Sequence, residues 1–181
     1  MAAPTAEELQ NEGLRLFQEG LYDEAARRFN EALEHFAEEG REIEAGEMLN
    51  NVGIIRRKQG RWEEALDVLE EARRIFVRSE DHSREAQALG NLGSVYASLG
   101  RREEAVKAWR EASVIFEELG ERQKQGETLM ALGIALFKSG DRQAGFAAYQ
   151  AGLQLLDNPT TTQKITRSLL ALQLRILGAG V

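Results

Sequence analysis

At 181 residues, with no cysteine and only two prolines, the chain is long enough to bury a sizeable core but excludes a disulfide framework, a thiolate metal site and a cysteine nucleophile. Its 43% hydrophobic and 29% charged residues, rich in Ala, Leu, Glu and Arg, are the balance of an ordered all-α protein, expected as one domain over residues 1–181. The formal charge of −7 argues against nucleic acid as a partner, because phosphate binding rests on a basic surface that releases counterions. No apolar run approaches the roughly 18 residues a membrane span needs. The start MAAPTAEELQ also lacks the basic and apolar regions of a signal peptide, so the expected compartment is the cytoplasm.

The first predicted element opens at Thr5, which forms a capping-box pattern with Glu8 and places a helix over residues 6–19. Gly20 ends it, since glycine accepts the left-handed conformation of a helix terminus, and a second helix is expected over residues 22–37. The pattern then recurs with a period of 40 residues. Glycines fall at Gly13, Gly53, Gly93 and Gly133, and again at Gly20, Gly60, Gly100 and Gly140. Large apolar residues follow suit at Leu9, Leu49, Leu89 and Leu129, at Phe29, Leu69, Trp109 and Tyr149, and at Phe36, Phe76, Phe116 and Leu156. Small residues align at Ala25, Ala65, Ala105 and Gly145, and at Ala32, Ala72, Ala112 and Gly152, where they let helices pack closely. Four helical hairpins are therefore expected, over 6–40, 46–80, 86–120 and 126–157. Neither helix of a hairpin buries its apolar stripe alone, so neighbouring hairpins must stack into a solenoid held by nearest-neighbour contacts.

After Asn158-Pro159 the pattern breaks, and Thr160 to Thr162 offer an N-cap for a capping helix over 160–177. This helix carries two apolar stripes, Ile165, Leu169, Leu172 and Ile176 on one line and Leu170, Leu174 and Leu177 on another. One stripe suffices to cap the last hairpin. The other is a homodimer contact, a docking face for a C-terminal continuation or a widened core stripe.

Leu-x-x-x-Gly, a glycine seven residues later, an aromatic two beyond it at Tyr22 and Trp62, and the Ala, large apolar, Ala series together resemble the tetratricopeptide-repeat (TPR) family. The resemblance covers residues 6–157, with its best copies in MLNNVGIIRRKQGRWEEALDVLEEA and ALGNLGSVYASLGRREEAVKAWREA. The period exceeds the usual length of about 34 residues, and a helix-ending proline is absent near Ala37, Val77, Glu117 and Asp157. Longer second helices and a longer turn between repeats are expected to take up the extra residues. The 40-residue period with LNN-G or LGNLG is similar to the long-repeat branch of kinesin light chains, spindle-orientation adaptors and bacterial peptide-sensing regulators. That resemblance implies a right-handed α-solenoid whose first helices line a concave, peptide-binding groove. The fourth unit departs most, with Ala131 where the others have Asn and with Gly145 and Gly152 where they have Ala.

The polar column Asn11, Asn51 and Asn91 lies in the middle of the first helix of three successive units. Asparagine is a mediocre helix former, so its recurrence there asks for a reason. Its amide offers a donor and an acceptor, which is what the backbone of an extended peptide needs in order to lie in a groove. With helices about 8–10 Å apart and a peptide rise of about 3.3 Å per residue, one asparagine would meet roughly every third peptide residue. Two other readings stand beside this one: hydrogen bonding between adjacent repeats, and a relic of duplication. The resemblance matches these asparagines to the peptide-clamping ones of the long-repeat branch.

The same face gathers Asn50 one residue earlier, Ser94 three residues later, then Phe17, Arg57 and Phe137, and then Lys58 and Lys138. Arg57 and Lys58 stand in a basic cluster on an acidic chain, which points to an acidic peptide; cations at a helix C-terminus also suit its dipole without any ligand. Phe17 and Phe137 are candidate anchors for a partner side chain. The TPR modules that clamp a terminal dicarboxylate carry Lys at Gln10, Asn at Leu14, and Lys and Arg at Gln87 and Asn91, so that specificity is not expected.

His35 and His82 show no metal-ligand spacing, and no phosphate loop or nucleophile motif is present. The expected function is therefore a non-enzymatic scaffold or adaptor without cofactor or metal, binding a protein or peptide. Self-assembly through the C-terminal helix or the groove is the alternative.

Overall fold

The computed structural model describes residues 3–176, and among them it is all-α, with helices and no strands. In chain order these are α1 (Ala6–Gln18), α2 (Tyr22–Glu38), α3 (Glu42–Lys58), α4 (Trp62–Arg78), α5 (His82–Ser98), α6 (Arg102–Glu118), α7 (Arg122–Ser139), α8 (Arg142–Leu155) and α9 (Thr161–Ile176). Leu177, assigned by sequence to the second stripe of the last helix, lies outside the described residues. The chain forms two compact units, Met1–Val95 and Tyr96–Val181.

The capping box at α1 is formed as expected: the Thr5 hydroxyl accepts from the Glu8 N–H, and the Glu8 carboxylate accepts from the Thr5 N–H. Thr160 and Gln163 repeat the arrangement at α9. The turns between helices share one design. After α1, the Gly20 N–H donates to the Phe17 carbonyl and the Leu21 N–H to the Leu16 carbonyl, the paired bonds of a Schellman motif with Gly20 at φ +80°. The same pair of bonds closes α2 at Gly40, α3 at Gly60, α5 at Gly100 and α6 at Gly120. After α4 the left-handed residue is Glu80, at φ 55°, the one non-glycine with positive φ among the described residues.

The extra residues of the long repeat therefore do not go into a longer turn between repeats. The Glu39–Arg41 turn is as short as the Glu19–Leu21 turn, and α3, α5 and α7 begin four residues earlier than adding 40 to the start of α1 gives. The same short turn recurs within and between hairpins, so helices of nearly equal length alternate.

In Met1–Val95, Leu9 and Leu16 of α1, Phe29 and Phe36 of α2, and Met48, Val52 and Ile55 of α3 form one buried cluster. In Tyr96–Val181, Trp109 packs with Leu132 and Leu136, while Met130, Tyr149 and Leu156 form a second cluster with Leu170 at its edge. The recurring glycine of each first helix permits this packing. A Cβ added at Gly13 would come within 2.7 Å of the Phe29 ring, and one at Gly53 within 2.5 Å of Leu69. In the α7–α8 hairpin the approach is closest, because Gly133 faces Gly145 and Gly126 faces Gly152, each with backbone atoms within 2.7 Å of the added carbon. The glycines by which the fourth unit departs from the others thus bring two backbones together.

Replacing Glu80 by glycine removes left-handed strain and is expected to raise unfolding stability by about 1 kcal/mol in urea titrations. Gly133→Ala drives a methyl into the α8 backbone and should lower stability by about 1–3 kcal/mol. Gly90→Ala, whose methyl meets nothing within 4 Å, is the control and should not destabilise.

Candidate functional site

The first helices of the hairpins in Met1–Val95 each bury one face and leave a second, narrower stripe uncovered. In α3 the buried residues are Ala45, Gly46, Met48, Leu49, Val52, Gly53 and Ile55. What remains along one line is Asn50, Asn51, Ile54 and Arg57, all half-buried, ending at exposed Lys58. In α1 the same positions are half-buried Gln10 and Phe17 with exposed Asn11, Leu14 and Gln18. In α5 they are half-buried Gly90, Asn91 and Ser94. Residues three, four and seven apart share a helix face, so the sequence pattern and the burial pattern describe one stripe.

Two of these stripes are joined directly. The Asn91 Nδ2 donates to Asn50 Oδ1 at 3.0 Å, across 41 residues of sequence. The bond between repeats thus exists, but it runs from the asparagine column to the residue before it and not along the column. Asn11 and Asn51 make no side-chain hydrogen bond among the described residues. Ser94 donates to the Gly90 carbonyl of its own helix. Phe17 is packed against Tyr22, with ring centroids 5.6 Å apart.

The basic cluster at the end of α3 divides. Arg56 is satisfied, with its guanidinium on Gln59 at 3.1 Å and 3.7 Å from the Glu64 carboxylate. Arg57 and Lys58 make no ion pair among the described residues, and the Arg57 Nε is buried without a hydrogen-bond partner. This is unusual here. Apart from Arg57, Lys58 and exposed Arg74, every lysine and arginine of Met1–Val95 pairs with a carboxylate. The Nε lies out of reach of solvent, so an incoming carboxylate would meet this half-buried guanidinium through its terminal nitrogens.

Ion pairs hold the stripes side by side. Arg41 bonds Glu7 of α1 while its other nitrogens reach Glu44 of α3 at 2.9–3.0 Å, and its hydrogen bond holds the Glu7 carboxyl below the usual range. Arg84 of α5 reaches Glu47 of α3 at 2.5 Å and Asp81 at 2.6 Å, while the Asp81 carboxylate caps α5 through the Arg84 N–H. Burial alone would raise the Asp81 pKa, but the backbone and side-chain hydrogen bonds from Arg84 outweigh it and the net shift is downward.

Phe137 and Lys138 belong to Tyr96–Val181. Phe137 is buried, and with exposed Lys138 it lines a recess of about 380 Å³ shared with Arg142 of α8 and with Gln173 and Ile176 of α9. Its ring is a wall of that recess and not a protruding anchor. Arg142 was not singled out from sequence, because its proximity to Lys138 depends on the turn between α7 and α8. Among the described residues no group of three or more His, Cys, Asp or Glu is placed to hold a metal ion, and no helix is long and apolar enough to cross a membrane.

Stacked hairpins with a side-chain-lined stripe on their first helices define a helical-repeat interaction scaffold. A tetratricopeptide-repeat family model matches the chain over residues 5–76, 44–118 and 84–158, and the chain belongs to that family of protein–protein interaction modules. A comparison with curated protein sequences finds no match. Among solved structures it is similar to BtubC (BKLC) from P. vanneervenii, with 24% identity, a TM-score of 0.75, and coverage of 86% of this chain and 67% of that one. It is also similar to the apo form of RapI, with 18% identity, a TM-score of 0.82, and coverage of 92% and 46%. Aspartyl phosphate phosphatase F from Bacillus subtilis is a third, with 15% identity, a TM-score of 0.79, and coverage of 83% and 39%. The chain thus spans about two thirds of the first and less than half of the other two. These likenesses are of fold.

Asn91→Ala breaks a half-buried hydrogen bond and is expected to cost about 1 kcal/mol in urea unfolding. Asn51→Ala and Asn11→Ala break none and should gain up to about 0.7 kcal/mol from helix propensity. For Asp81, whose folded pKa is depressed, the stabilisation is complete above the unfolded value and lost as pH falls through the folded one. Asp81→Asn should therefore lower stability by about 1 kcal/mol at pH 7, and its difference from the native chain should shrink as pH drops below about 4.

Proposed function

We propose that Met1–Val95 binds an extended acidic peptide along the stripe of α1, α3 and α5. The observation that carries this reading is the unpaired Arg57 guanidinium with Lys58 beside it, at the end of a stripe whose Asn51 amide is also unengaged. Asn11 and Asn51 offer a donor and an acceptor each to the peptide backbone. Asn91 keeps its carbonyl oxygen for the peptide while its amino group holds Asn50. Arg57 and Lys58 take a carboxylate, and Leu14, Ile54 and the edge of Phe17 supply apolar ground between polar contacts. Ser94 lies one turn beyond Asn91, with its hydroxyl donating to the Gly90 carbonyl of its own helix. In Tyr96–Val181, Lys138 supplies charge of the same sign at the corresponding position, with Phe137 beneath it.

The net charge of −7 favours protein over nucleic acid as the partner, since 30 acidic residues outnumber 23 basic ones. The family membership supports binding over catalysis as the role. The expected compartment remains the cytoplasm, in keeping with the absence of cysteine.

Panning a random library of about 12-residue peptides against the full chain should enrich sequences bearing Asp or Glu within an extended, proline- or β-branched-rich frame. A selected peptide should lose about tenfold or more in affinity with Arg57→Glu plus Lys58→Glu, and a similar factor with Asn51→Ala plus Asn91→Ala, by calorimetric titration. Unchanged affinity in both double variants would remove the stripe as the site.

A further inference from the structure

The last helix places its apolar residues unexpectedly. Of its two stripes, Leu170 and Leu174 face inward, with Leu174 at 2% exposure and Leu170 against Met130, Tyr149 and Leu156. Ile165, Leu169, Leu172 and Ile176 point away from the unit, at 53%, 56%, 53% and 72% exposure. Four large apolar side chains on one uncovered line make a surface that an isolated globular unit does not maintain.

The repeat register says what kind of surface it is. Adding 40 to Leu129, Leu132, Gly133 and Leu136 of α7 gives Leu169, Leu172, Gln173 and Ile176. In sequence register α9 matches the first helix of a unit, and its exposed stripe aligns with the face that α7 turns to α8. It packs the other way round, however: Leu174, at 2% exposure, aligns with exposed Leu14 and Ile134. In α7, Leu132 and Leu136 are buried, and Gly133 lies against Gly145 and Tyr149 of α8. In α9 the glycine is replaced by Gln173, and a side chain there forbids the close approach that the hairpins use. A helix docked on this stripe must stand further off. The 4-3-4 spacing of the four apolar residues suits that, because it is the seam of a coiled coil at ordinary separation.

Charge selects the occupant. Residues 160–176 contain Lys164, Arg167 and Arg175 and no acidic residue, on a chain of net charge −7. None of these three pairs with a carboxylate among the described residues, nor do Lys138 and Arg142, which line the recess beside Gln173 and Ile176. A second copy of α9 would bring cations to cations. An amphipathic helix with acidic residues flanking an apolar seam would neutralise them while covering the stripe.

We propose that the outer face of α9, with Lys138 and Arg142 at its rim, is a docking site for an acidic amphipathic helix of a partner protein. The site is separate from the peptide stripe of Met1–Val95, and Arg57→Glu plus Lys58→Glu should leave it intact, so the two readings fail independently.

The probe is a fluorescein-labelled synthetic helix of about 20 residues with leucines at 3-4 spacing and glutamates on both flanks, set against the same helix with lysines. By fluorescence anisotropy with the full chain, the glutamate helix should bind saturably, and at least about tenfold more tightly than the lysine helix. Affinity should fall as salt rises from about 50 to about 500 mM. Leu169→Gln plus Leu172→Gln, both exposed in the free chain, should weaken it at least about tenfold without changing the thermal melt. Arg142→Glu plus Arg175→Glu, which spares the apolar stripe, should do the same. Equal binding of the two helices, binding of neither, or insensitivity to both double variants would overturn the proposal. So would a concentration-dependent dimer in sedimentation that Leu169→Gln plus Leu172→Gln dissolves, since the occupant would then be a second copy.

Discussion

A residue in the left-handed conformation lets a helix end and the chain turn back within three residues, and this chain places one at the end of each helix from α1 to α7. The consequence is regularity. Each turn from α1 to α6 closes with the same pair of hydrogen bonds, so successive helices leave it at matching phase and helices of one kind within a unit present the same face. The stripe of Asn11, Asn51 and Asn91 recurs because equal turns bring the first helices of the unit round at the same phase. Glu80 shows the strength of the constraint: the turn keeps its geometry even where glycine is lacking.

Given the turn, glycine on the first helix sets how closely a hairpin closes. Gly13 and Gly53 admit a ring or a leucine, whereas the paired glycines of α7 and α8 admit backbone. Tight closure on one side of the first helix leaves its other side open, and burial there is partial. Partial burial is the electrostatic setting in which Arg57 matters. A guanidinium fully in water gains little from a carboxylate, while a half-buried one without an ion pair, such as Arg57, is less screened and gains more.

The 40-residue period, the hairpins and the core columns were legible in the sequence because glycine, leucine and aromatic residues repeat at fixed positions. The turn between repeats was less so. Gly40 and Gly120 mark it, but Glu80 interrupts the column, and a broken column does not announce itself as a turn. The Asn91–Asn50 bond was also hidden, because the pairing of residues on stacked helices depends on their relative rotation and not on their spacing in sequence. Arg56, Arg57 and Lys58 look alike in sequence; only the positions of Gln59 and Glu64 reveal that the first is neutralised and the others are not. For α9, both stripes have helical spacing, and the fold alone decides that Leu170 and Leu174 face inward.

In the proposed complex the first helices of Met1–Val95 contact the partner through side chains that the fold leaves unengaged. The most direct measurement is nuclear magnetic resonance of the ¹⁵N-labelled chain, following asparagine side-chain amide and arginine Nε–H signals as an acidic peptide is added. The Asn11, Asn51 and Arg57 signals should shift together and saturate at one equivalent, while those of Asn30 on α2 and Arg74 on α4 stay in place. Shifts confined to α2 and α4, with Asn51 and Arg57 unmoved, would contradict the account.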